Sequence, residues 1–206
     1  MKSPLRYQMS EYDCGPTTML NGISYLFPRE SISPEIIRNI MLYSLDSYGG
    51  EGIMGKRGTS SAAMMFLSNW LNGYGKIGDF HIASRYLSGK NVYLGAGSFI
   101  NDTLHRGGVV VLRLLFDGGH YVLLTGEKDG RVFMFDPYYR EGPFAQKDIL
   151  VTENKPFDYN RIVPEAYFNK ETDAIYSLGP YGDREAVLLF NEDTCLTPDE
   201  TIEYFI

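Results

Sequence analysis

Apolar positions recur at helical spacing in the first half of the chain and run in extended blocks in the second. Met19, Leu20, Ile23, Leu26 and Phe27 form one stripe, opened by Gly15-Pro16 and stopped by Pro28. Proline fits the first helical turn, where its missing N–H costs nothing, so a helix is predicted to begin at Cys14. Ser33-Pro34-Glu35 is a capped start for a second helix, with Ile36, Ile37, Ile40, Met41 and Leu45 on its apolar face. Thr59 or Ser60 caps a third, whose stripe is Ala63, Met64, Leu67, Trp70 and Leu71 and which ends at Gly73. Gly73 to Gly97 is rich in glycine, with a short strand expected around Phe80-His81-Ile82, and Phe99 to Leu104 reads as a short helix.

From Gly108 the period changes. Val109 to Phe116, His120 to Gly126 and Arg131 to Asp136 read as strands in series, joined by Asp117-Gly118-Gly119 and Glu127-Lys128-Asp129-Gly130. Helices first and an antiparallel meander afterwards predict an α+β domain. Ile149-Leu150-Val151 reads as a strand end or a helix. Thr152 to Asp183 is polar and aromatic without a period, Glu185 to Asn191 is one more strand, and Thr197-Pro198-Asp199-Glu200 caps a last short helix. With no repeat and no linker, the expectation is a single domain over residues 1–206, with an insertion at 152–183 and a short C-terminal helix.

Composition narrows the function classes. A hydrophobic share of 44% with 22% charged residues is that of a globular protein, and a net charge of −7 argues against a nucleic-acid partner. The cysteines, Cys14 and Cys195, are too far apart in sequence to suggest a disulfide framework and suit a reducing compartment. The N-terminus carries no secretory signal, and the apolar run at Val109 is broken by Arg113 and far shorter than the roughly 18 residues of a membrane span. A cytoplasmic protein without a propeptide is expected. Gly50 to Arg57 has the glycine and lysine spacing of a phosphate-binding loop, but Arg57 stands where Ser or Thr would hold magnesium and no strand precedes it. The cysteines and histidines include no close-spaced pair, so neither a metal nor another cofactor is expected.

Candidate chemistry centres on Cys14. The unpaired N–H groups of a helix start favour negative charge, and a thiolate is one. His120 begins a strand after Gly118-Gly119, where small residues would leave room around the ring, and Asp136 ends the next strand. A three-residue loop, Lys128-Asp129-Gly130, would pair Glu127 with Arg131 and Val122 with Asp136, leaving His120 as a diagonal neighbour on the same face. A two-residue Asp129-Gly130 loop would turn His120 to the opposite face, so on register alone the meeting of the two side chains requires the odd loop. Together these residues assemble a nucleophile in Cys14, a general base and acid in His120, and in Asp136 a carboxylate to hold the imidazole tautomer. Gln8 and the Cys14 backbone N–H could stabilise an oxyanion.

Gln8-x5-Cys14-Gly15-Pro16 before an apolar helix, Gly58-Thr59-Ser60, Gly119-His120-Tyr121-Val122-Leu123-Leu124 and Phe135-Asp136-Pro137 resemble, in that order, the bacteriocin-processing, double-glycine-leader peptidases of the papain-like superfamily. The resemblance runs from Gln8 to about Tyr139 and implies a papain-like α+β fold and a bacterial cysteine peptidase. It further implies a peptide or protein substrate, with Cys14 as nucleophile, His120 as base, Asp136 as third member and Gln8 as oxyanion donor. Those domains usually head peptide exporters; no transmembrane or ATPase segment follows here, so the export role is not carried over. Two alternatives share these residues: an acyltransferase or transglutaminase-like enzyme, differing only in what attacks the acyl-enzyme, and an inactive peptide-binding relative.

Overall fold

A computed structural model describes residues 1–115 and 118–197. The helices are α1 (Cys14–Leu26), α2 (Pro34–Ser44), α3 (Ser61–Tyr74) and α4 (Phe99–His105). Their starts follow the capping residues: Ser33 accepts from the Glu35 N–H, Ser60 from Ala63 and Ser98 from Asn101. The strands are β1 (Ile82–Ser88), β2 (Val109–Leu114), β3 (His120–Lys128), β4 (Arg131–Phe135), β5 (Leu150–Val151), β6 (Arg161–Pro164) and β7 (Glu185–Asn191). They form one antiparallel sheet in the order β1-β7-β2-β3-β4-β6-β5. The α+β expectation describes this architecture.

The sheet is covered on both faces, which is why its central strands read as unbroken apolar runs. Val109, Val111, Tyr121, Leu123 and Leu189 pack with Met19 and Ile23 of α1, Ile36 and Ile40 of α2, and Met64 and Leu67 of α3. The alternate residues Val110, Leu112, Val122, Leu124 and Met134 face a second core that includes Ile100 and Leu104 of α4 and Phe168, Tyr176 and Leu178. Gly22 sets how closely α1 lies on the sheet: a Cβ there would stand 2.9 Å from a Leu189 methyl and 3.4 Å from one of Leu123.

Two stretches differ from the sequence reading. The strand expected near residues 80–82 is β1, which starts at Ile82 and was masked by Ser84, Arg85 and Ser88 in its run. The segment 152–183, expected as an insertion, supplies β6, which pairs with both β4 and β5. The capped C-terminal helix falls on residues outside those described, as do Phe116 and Asp117. The loop over Gly50 to Arg57 folds back on itself through a Tyr48–Met54 bridge and opens no helix.

The β3–β4 hairpin departs from the expected register and then recovers it. Lys128 pairs with Arg131, so the loop is the two-residue Asp129-Gly130, with φ of 53° and 69° as a right-twisted hairpin turn requires. The three-residue loop expected from the sequence does not form. Left uncorrected, this pairing would put His120 and Asp136 on opposite faces. It is corrected by a bulge: Gly126 pairs with Phe133 but Leu124 pairs with Met134, so β3 carries an extra residue, Thr125, whose hydroxyl donates to the Phe133 carbonyl. Leu123 then pairs with Phe135, the register the odd loop would have produced.

Because a side chain at Gly22 would crowd Leu189 and Leu123, Gly22→Val is expected to lower stability by about 1–3 kcal/mol through overpacking. A urea titration of the variant against the parent chain measures this; an unchanged midpoint would mean that α1 can move off the sheet without cost.

Candidate active site

Cys14 opens α1 at the edge of a cavity of about 280 Å³ that is also lined by Gln8, Glu11, His120, Asp136 and Tyr138. The four residues expected to act together therefore share one cavity. The remaining histidines lie elsewhere, His81 paired with Asp193 and His105 with Glu127, both in exposed contacts. Cys195 is a free thiol, partly exposed, and does not line this cavity.

His120 is held from two sides. Its Nε2 lies 2.7 Å from Oδ1 of Asp136. A carboxylate can only accept, so Nε2 carries the hydrogen and Nδ1 is the nitrogen left for another partner. Cys14 lines the same cavity and acts on the ring together with Asp136. Burial by itself would lower the imidazole pKa, but the hydrogen bonds and charges of Asp136 and Cys14 outweigh it and raise it to about 10.

Asp136 is 5% exposed, and its neighbours leave its carboxylate little freedom. Oδ1 accepts from the Tyr138 N–H as well as from His120, and Oδ2 accepts from the Tyr176 hydroxyl at 3.2 Å. Its main chain is clamped by Asn160, whose amide donates to the Asp136 carbonyl and accepts from the Asp136 N–H, each at 2.8 Å. Asn160 and Tyr176 both come from the segment 152–183.

The loop before α1 is tied down by Asp13. Its carboxylate accepts from the backbone N–H groups of Met9 and Ser10 and from the hydroxyls of Ser10 and Thr17. Burial opposes ionisation of Asp13, but these hydrogen bonds prevail and hold the carboxyl below its ordinary range. Gln8 is fixed at its main chain by a hydrogen bond to the Pro137 carbonyl, next to Asp136. Its side-chain nitrogen donates to the Ser10 carbonyl at 2.7 Å, which uses one of two amide hydrogens.

The glycines before His120 do not simply leave space. Gly119 has φ of 117°, and a Cβ there would stand 2.4 Å from the Arg113 guanidinium. Arg113 in turn approaches the buried carboxylate of Glu185, which also accepts from the hydroxyls of Tyr121 and Tyr86. This network braces the start of β3. Nothing periodic in the sequence pointed to Asn160, Tyr176 or Glu185, which act from distant segments; Asp13, three residues after a serine and at a helix start, carried a local signal.

No protein family profile matches the sequence, and no curated protein matches it. Solved structures do. A double-glycine motif protease from an AMS/PCAT transporter, solved in complex with the leader peptide, is 14% identical, over 92% of this chain and 90% of its own, with a TM-score of 0.44. The peptidase domain of Streptococcus mutans ComA is 11% identical, over 91% and 98%, with a TM-score of 0.39. At such distances chemistry has to be argued from this chain's own residues. Among the described residues no helix is long and apolar enough to cross a membrane.

The raised pKa of His120 ties stability to pH. The folded value lies above the unfolded one near 6.5, so the stabilisation is fully present below about pH 6.5 and is lost as pH rises through about 10. Urea midpoints measured across this window should fall with pH in the parent chain and fall less steeply in Asp136→Asn, which lacks the carboxylate. Parallel curves would show that Asp136 does not hold the imidazolium.

Proposed function

We propose that this chain is a cysteine peptidase that cleaves a peptide bond through a thioester. The observation that carries the reading is the imidazole of His120, hydrogen-bonded to the Asp136 carboxylate, in one cavity with Cys14 at a helix start. Cys14 attacks the scissile carbonyl carbon as a thiolate, and the negative charge passes to the carbonyl oxygen. The Cys14 backbone N–H, in the first turn where no intrahelical carbonyl is available, and the second amide hydrogen of Gln8 are the donors for that oxygen. His120 passes its proton to the departing amine as the C–N bond breaks. The thioester is then attacked by water, with His120 taking the proton, and the acid leaves. Asp136 keeps the ring oriented and compensates its charge throughout.

The substrate proposed is a peptide with a double-glycine leader, in line with the motif resemblance over Gln8 to Tyr139. Site and compartment are read together: a free thiol that must stay reduced suits the cytoplasm.

Two measurements test this. Incubation of the intact protein with a thiol-directed electrophile, followed by peptide mapping, should modify Cys14 well before Cys195, and Cys14→Ala should lose both this labelling and hydrolysis of a double-glycine leader peptide. Turnover that survives Cys14→Ala would end the reading. Gln8→Ala should lower kcat by about 10²–10³-fold with the fold intact, the cost of one oxyanion donor; a loss confined to KM would remove Gln8 from that role.

A further inference from the structure

Beside Asp136, two more polar side chains line the cavity of Cys14 and His120: those of Tyr176 and Arg161. Tyr176 is 1% exposed and Arg161 is 2% exposed, a depth at which charged and hydroxyl groups are kept only with partners. The Tyr176 hydroxyl donates to Oδ2 of Asp136, the oxygen that His120 does not use, and the Arg161 side chain adjoins the phenol in the same cavity. Arg161 also donates to the Asn160 carbonyl at 2.9 Å, and its Nε has no partner. Among the described residues Arg161 forms no salt bridge to a carboxylate, and its charge acts on the Tyr176 phenol.

The backbone supports the same assignment. Tyr176 has φ of 56°, a left-handed conformation that bulky residues rarely adopt, and Phe144 packs edge-on against its ring at 5.7 Å. Such strain persists only where the surroundings impose it, and it is found at sites where a group must be aimed. What this backbone aims is the hydroxyl at Asp136. Burial, and then the charge of Asp136, push the Tyr176 phenol well above its usual range, so the proton stays on the phenol and is donated to the carboxylate.

We propose that Tyr176, supported by Arg161, is a positioning residue that fixes the plane of the Asp136 carboxylate and through it the ring of His120, adding two members to the Cys14–His120–Asp136 line. This rests on the peptidase reading for its consequence, though the hydrogen bonds themselves do not. A tyrosine that merely satisfied a buried oxygen would affect stability alone. One that aims the carboxylate also sets how well the imidazolium is held, and hence how much thiolate Cys14 carries at neutral pH.

The test uses iodoacetamide on the full chain, with the rate of Cys14 modification read by mass spectrometry across pH 5–10. Tyr176→Phe keeps the ring against Phe144 and removes only the hydroxyl. It is expected to slow Cys14 alkylation at pH 6–7 by about tenfold, the scale of one hydrogen bond to a charged group, and to draw the upper limb of the profile to lower pH. Alkylation of Cys195 in the same samples should not change. Arg161→Lys is expected to slow Cys14 modification in the parent chain but by less than about twofold in the Tyr176→Phe background, because it acts through the phenol. A Tyr176→Phe profile that overlays the parent, or effects of the two substitutions that multiply, would overturn the proposal. If Cys14 of the parent chain is no more reactive than Cys195, the peptidase reading falls first and this proposal with it.

Discussion

A single hydrogen bond, from the imidazole of His120 to the carboxylate of Asp136, constrains everything around it. The residues lie 16 positions apart on adjacent strands, and strand pairing decides in all-or-none fashion whether they can meet. The tight Asp129-Gly130 turn favours the wrong answer. One surplus residue at Thr125 reverses it, and the disruption is confined to a single step of the ladder. The bulge is thus the local irregularity on which the shared face depends, and bulges next to functional sites commonly re-aim side chains in this way.

The other half of the site depends on a close approach rather than on register. α1 lies against β3 and β7 because Gly22 presents no side chain to Leu123 and Leu189. That seating decides where the helix tip, and therefore Cys14, sits. Asp13 then gathers the preceding loop against the same tip, so Gln8 arrives at the cavity as part of the helix start. A helix docked by van der Waals contact and a hairpin registered by a bulge meet at one cavity, each positioned by its own packing.

Much of this was legible before the structure. The starts of α1, α2 and α3 were written in proline and serine at the expected positions, and β7 in an apolar run bounded by turn residues. Cys14, Gln8, His120 and Asp136 stood out because residue type and element end coincided. The exact route to the register was not legible, since a bulge at Thr125 leaves no mark in a pattern of apolar and polar residues. Nor were Asn160, Arg161 and Tyr176: a hydrogen bond to a carboxylate from a distant loop has no period, and the segment that carries them looked like an insertion for that reason. Gly119 was noticed for the room it leaves around the His120 ring, whereas its close approach to Arg113 was not legible.

The sheet order has a further meaning for how the protein comes into being. β7, the last strand among the described residues, is not at an edge but lies between β1 and β2, and its first residue, Glu185, receives the hydroxyls that brace β1 and β3. Until that stretch has left the ribosome, β1 has no neighbour to join and β2 has one side open. The nucleophile is made well before β7, so the emerging chain carries its thiol without a finished cleft around it.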